Sequence, residues 1–250
     1  MAEGRASSSG REISVAVRSK RRDLVELAIA YGLILLVIWT PRPWQKLLWW
    51  VAAAAVVIIA SISFDGLKAM GLRRENFLRS LWVVGVALLV AAVAIFVAVK
   101  LHTLRLPGPP ATGLGRWGGL PHGGPIAFIE NYWAYALWAA VQQFLLQCFF
   151  LLRLLRLLPN AKSAAAMAAV IFAVAHLPSP ILTPVTLIWG FAACLLFLRY
   201  RNLYPLAMAH AILGISIAIT IPGPVDHNMR VGLGYLTYGH THKPAPLPQP

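Results

Sequence analysis

The sequence predicts an all-α fold, a polytopic bundle of about seven transmembrane helices, and three observations predict it. First, 59% of the 250 residues are hydrophobic and only 12% are charged, against about 45–50% and about 25% in soluble domains. Second, the apolar residues fall into long runs, too continuous for the alternation of a membrane barrel, and only helices and closed barrels satisfy backbone groups in lipid. Third, Lys and Arg lie between the runs. The excess of 22 basic over 8 acidic residues would suggest nucleic acid in a soluble chain; here it is the pattern of membrane topology, and no nucleic-acid partner is expected. Disorder is excluded by the apolar content. Two cysteines, Cys148 and Cys194, sit inside apolar runs and read as small buried residues rather than a disulfide framework.

Residues 1–23 form a basic stretch with Arg18, Lys20, Arg21 and Arg22. It is expected to be a flexible tail rather than a cleaved signal peptide, because more spans follow it. Residues 24–100 hold three runs, at 24–40, 46–63 and 81–99. Between the second and third, Gly71-Leu72-Arg73-Arg74 with Phe77 and Leu78 suggests a short basic amphipathic piece on the inner surface. Residues 101–129 are a Gly/Pro-rich loop, long enough to act as a lid or to be a partly inserted segment. Residues 130–221 hold four further runs, at 130–152, 164–179, 185–199 and 203–221, and residues 222–250 read as an irregular tail. With the amino terminus inside, inner segments carry fifteen Lys and Arg and outer segments seven. That bias predicts a multi-pass cell-membrane protein with a cytoplasmic amino terminus. Trp39, Trp44, Trp49, Trp50, Tyr132, Trp133, Tyr200 and Tyr204 lie near run ends, as interfacial anchors do.

Polar groups inside hydrocarbon are costly and tend to face a bundle interior or a wet cavity. Run four holds Gln142, Gln143 and Gln147, run five His176 and run seven His210. At about 1.5 Å per residue, Gln143 lies roughly 15 Å deep, His176 roughly 20 Å and His210 roughly 11 Å. Three helices therefore bring amides and imidazoles to a similar level. Gln143 and Gln147 are four apart and share a face, as do Phe172 and His176. The plain alternative is that the glutamines join helices by hydrogen bonds of about 0.6–2 kcal/mol each. His102, His122, His227, His240 and His242 lie in loops or tails, where a solvated role outweighs metal binding by His240-Thr241-His242. Glu130 and Asp226 flank runs and are expected at the interface. No phosphate loop, serine elbow or paired CxxC is present.

Gln142-Gln143-Phe144-Leu145-Leu146-Gln147, then Phe172-Ala173-Val174-Ala175-His176, then Arg201 through His210, resemble in order and separation three motifs of one family. It is the type II CAAX prenyl endopeptidase-like family of intramembrane proteases, also called CPBP or Abi, which includes lysostaphin-resistance-A-like proteins. Its first motif is Glu-Glu-x-x-x-Arg, its second Phe-x-x-x-His, its last a turn entering a helix that carries a His. The resemblance covers roughly residues 130–220. It implies a peptide-cleaving cavity within the bilayer, acting near a prenylated cysteine in eukaryotic members. It also implies catalytic positions at His176, His210, Gln142 and Gln143, and binding positions at Gln147, Phe172 and Gly214. The implied partners are a hydrophobic or lipidated peptide and membrane lipid.

The departures carry chemistry. Gln142 and Gln143 stand for the glutamates, Gln147 for the Arg and Gly214 for an Asn or Asp. A carboxylate can take a proton from water and an amide cannot, and general-base help is worth about 10²–10⁴-fold. His176 or His210, with an unperturbed pKa near 6.5, remains as base. Replacement of Arg by Gln147 looks compensatory, since a buried unpaired Arg would cost several kcal/mol. No cofactor is assured by these residues; zinc could sit between His176 and His210, with Gln a poor further ligand. Three functions follow: an endopeptidase with an altered mechanism, a catalytically silent relative that binds without cutting, and a small transporter or structural membrane protein unrelated to proteolysis.

Overall fold

The computed structural model describes residues 3–41, 43–62, 66–68, 70–105 and 125–238, with side chains described from Lys20 to Arg105 within these ranges and from Tyr132 onward. All of the elements described are helical. Helices α1 (Glu3–Trp39), α2 (Trp44–Ile62), α3 (Phe77–Ser80) and α4 (Trp82–Lys100) form the first half. In the second half, α5 (Pro125–Gln143) runs through a π-wound segment (Phe144–Leu151) into α6 (Leu152–Leu157). Then come α7 (Ala161–Val174), α8 (Leu182–Tyr200), α9 (Tyr204–Thr220), and the short turns α10 (Gly223–Asp226) and α11 (Leu233–Leu236). Helix α1 takes in the basic stretch ahead of the first apolar run, and α5 begins at Pro125. The central part of the Gly/Pro-rich loop, and the tail with His240 and His242, lie outside the described residues.

Among the described residues four helical stretches are long and apolar enough to cross a membrane, and five if α9 and the bent segment after it count as one. The sequence reading expects seven. Two of its runs differ for identifiable reasons. Helix α7 has 14 residues, about 21 Å at 1.5 Å per residue, short of a hydrocarbon core of about 30 Å. The apolar part of α1 is joined to Arg22, Asp23 and Glu26. Large apolar side chains are nonetheless turned outward in number: Ile62, Leu89, Phe96 and Ile188 are each more than 60% exposed. Such a surface is stable against lipid rather than water.

Small residues set the packing. Ala164, Ala165, Ala168, Ala169 and Ala173 are all buried on α7, and a Cβ at Gly190 of α8 would lie 3.3 Å from the Ala169 Cα. Close backbone approach of this kind is how helices associate in lipid. Helix α1 is fixed to α6 by charge. Arg153, 1% exposed, lies 2.8 Å from Glu26 and 3.8 Å above the Phe149 ring, while Arg156 meets both Asp23 oxygens at 2.7 Å.

The Gly71-to-Asn76 segment, expected on the membrane surface, docks instead on the end of α8. Arg73 Nε donates to the Arg201 carbonyl at 2.8 Å and Asn76 Nδ2 to the Tyr200 carbonyl at 3.1 Å. Asn202 Nδ2 returns two bonds of 2.9 Å to the carbonyls of Arg73 and Glu75. These bonds satisfy carbonyls that a helix end leaves without partners. Gly71 (φ +70°) is required there, because a Cβ would sit 2.6 Å from the buried Phe197 ring and 3.2 Å from the Arg201 backbone. After α9 the chain bends by 118°, and Gly232 N–H donates to the Leu177 carbonyl at 2.7 Å. Asp226, expected at the interface, is 1% exposed and accepts from the Asn228 N–H at 2.9 Å.

Candidate functional site

A cavity of about 650 Å³ lies between α1, α5, the π-wound segment, α7, α8 and α9, and Asn228, Met229 and Val231 from beyond the bend also line it. Two helical stripes form facing walls. Tyr135, Trp138 and Gln142 come from α5 at i, i+3 and i+7, and His210, Leu213, Gly214 and Ile217 from α9 at i, i+3, i+4 and i+7; these spacings put side chains on one helix face. Phe172 and His176 complete the polar end. Among the described residues no Lys, Arg, Asp or Glu lines the cavity.

The sequence pairs Gln142 with Gln143, and the structure separates them. Gln142 faces the cavity. Gln143 is fully buried behind it, and so is Gln147. Gln147 Nε2 donates to Gln143 Oε1 at 2.7 Å, and Gln143 Nε2 meets His210 Nδ1 at 2.9 Å. This chain runs along the start of the π-wound segment, a winding often found at functional sites. With the Gln143 oxygen occupied by Gln147, the amide nitrogen is the end that faces the ring, so His210 Nδ1 accepts. Its proton then sits on Nε2.

His176 has the opposite arrangement. Its Nδ1 lies 2.7 Å from the Phe172 carbonyl. A carbonyl only accepts, so Nδ1 carries the proton and Nε2 keeps its lone pair. His176 lies just past the end of a helix rather than inside one. Helix α7 ends at Val174, and His176 N–H closes a turn on the Ala173 carbonyl at 2.9 Å. Phe172 stands edge-on to both imidazoles, with centroids 4.7 Å from His176 and 5.9 Å from His210.

Gly214, the position of an Asn or Asp in the motif, is a contact point. A Cβ there would lie 1.8 Å from the Tyr135 hydroxyl oxygen. Tyr135 and Trp189 are lining residues that the sequence reading does not single out. Tyr135 lies seven residues before Gln142, so helical spacing carried the signal; Trp189 had none, since its helix is apolar all round. The Trp189 indole is 6.2 Å from His210. Tyr31 donates to the Ile171 carbonyl at 3.0 Å and closes the α1 side. The two cysteines are buried, with Cys148 Sγ 2.9 Å from the Met70 carbonyl.

A zinc ion does not fit this donor set. Among the described residues no third His, Cys, Asp or Glu joins the two histidines, and a tetrahedral site draws most of its ligands from those types.

The fold and cavity define a helical membrane protein with a largely apolar pocket that carries a few polar groups and, among the described residues, no charged one. Over residues 125–215 the chain is similar to the family of type II CAAX prenyl endopeptidase Rce1-like proteins, whose model matches it there. All three motifs fall within the match. No curated protein and no solved structure matches the chain.

Proposed function

We propose that this protein is an intramembrane endopeptidase that cleaves a hydrophobic or lipidated peptide in this cavity, with His176 as base. One observation carries the reading: two imidazoles border one cavity in complementary tautomers, a lone pair on His176 Nε2 and an N–H on His210 Nε2. His176 Nε2 takes a proton from water. The hydroxide oxygen bonds to the peptide carbonyl carbon, and the oxyanion formed accepts from His210 Nε2–H. Collapse breaks the C–N bond, and the proton held on His176 passes to the amine nitrogen, so one water is consumed. The apolar walls suit a lipid chain or apolar side chains. The protein spans the cell membrane several times, up to the seven runs of its sequence, with its amino terminus in the cytoplasm on the Lys and Arg bias.

A second reading, a silent relative that binds the same peptide without cutting it, draws support from the absence of carboxylates among the described lining residues. One experiment separates the two. The full chain in liposomes is incubated with prenylated and unprenylated peptides, and products are read by mass spectrometry. The first reading expects cleavage that falls by about 10²–10⁴-fold in His176→Ala. Cleavage that survives this substitution overturns the role of His176; tight binding with no product in any variant favours the second reading.

A further inference from the structure

One hydroxyl in the cavity, that of Tyr135, bonds to none of the described residues. Tyr31, by comparison, uses its hydroxyl to tie two helices together. The position of the Tyr135 phenol is specified by the opposite wall. A Cβ on residue 214 would lie 1.8 Å from Oη and 2.5 Å from Cζ, where real Cβ atoms essentially never come within 3.0 Å. Glycine at 214 is therefore what allows the phenol to reach this wall. Gly214 lies one turn after His210 on the same face of α9. Gly214 is thus about 5–6 Å along the helix from His210, in a chamber with no charged lining residue among the described residues.

Packing alone does not call for this oxygen. Phenylalanine would fill the ring's volume, and a half-buried hydroxyl without a partner is a cost that a ligand can relieve. With an ordinary pKa near 10 a phenol keeps its proton at neutral pH, so what it offers a ligand is a donor. A neutral donor in the same chamber as the His210 imidazole, among aromatic lining residues, matches an uncharged acceptor on an apolar molecule.

We propose that the Tyr135 hydroxyl, held against Gly214, donates to a carbonyl oxygen of the bound peptide and so helps select peptide backbone over lipid alone. The proposal rests on the peptide-binding reading above and names a contact that reading does not include.

The test uses the full chain in lipid nanodiscs and two fluorescent prenylated peptides. They differ only at the bond after the lipidated cysteine, which is an amide in one and a trans-alkene isostere without the carbonyl oxygen in the other. The wild type should bind the amide about 5–10-fold more tightly, the worth of one neutral hydrogen bond. Tyr135→Phe should weaken the amide by that factor and leave the isostere unchanged, so the preference disappears. Gly214→Ala, which displaces the phenol, should do the same where it folds. Tyr135→Phe with an unchanged preference, or with both peptides weakened alike, overturns the proposal by showing a packing role. A wild type that binds neither peptide overturns the peptide-binding reading itself, and the Tyr135 contact falls with it. A wild type that binds both equally removes the contact alone.

Discussion

Gln142 and Gln143 are identical neighbours, and the structure predicts opposite consequences for replacing them with Leu. Gln143 makes two buried hydrogen bonds, 2.7 Å to Gln147 and 2.9 Å to His210. Its removal orphans the Gln147 amide, 0% exposed, and His210 Nδ1, in a residue 6% exposed. A buried polar group left without a partner costs about 1–3 kcal/mol, so two give about 2–6 kcal/mol. Gln142 faces the cavity, is half-buried and has no hydrogen bond to a described residue. Gln142→Leu should change stability by less than about 1 kcal/mol, as for substitutions away from such networks. Both variants can be unfolded in mixed micelles under increasing SDS and followed by Trp fluorescence. Nitrogen-15 spectra of the imidazoles give a second readout. His210 should be the Nε2–H tautomer in the wild type and in Gln142→Leu, and lose that bias in Gln143→Leu. Equal destabilisation of the two variants, or a wild-type His210 protonated on Nδ1, would refute the amide chain and the donor role built on it.

Other outcomes follow from the packing. Glu26→Leu leaves the Arg153 guanidinium buried without its carboxylate and should cost about 3–5 kcal/mol, with most of it recovered in Glu26→Leu/Arg153→Leu; the same unfolding assay on single and double variants measures this. Gly71→Ala should cost at least about 1–3 kcal/mol, because its φ of +70° is unfavourable for alanine and its Cβ would meet the Phe197 ring. The measurement is the thermal midpoint in detergent, and a midpoint equal to the wild type would sink the docking account.

The helical membrane class followed from composition alone, because 12% charge cannot clothe a soluble surface, and backbone groups in lipid must bond within the chain. The polar residues of the site were likewise legible, since Gln142, Gln143, Gln147, His176 and His210 stand out against apolar runs. Their division of labour was not. Whether an amide faces a cavity or hides behind it depends on helix rotation, which the π-wound segment and the neighbours of α5 decide. Tyr135 shares the helical spacing of Gln142, but aromatic residues are ordinary in such runs and do not stand out as Gln and His do; its contact with Gly214 across two helices is what distinguishes it in the fold. The basic residues show the same limit. Arg153 and Arg156 count toward topology in the sequence, yet in the fold they bind Glu26 and Asp23, carboxylates about 130 residues away in the chain. Arg73, read as a surface charge, caps α8. Local pattern determines which segments enter the bilayer, since that depends on the transfer of each segment alone; which groups meet inside depends on distances between segments, and those exist only once the helices have packed.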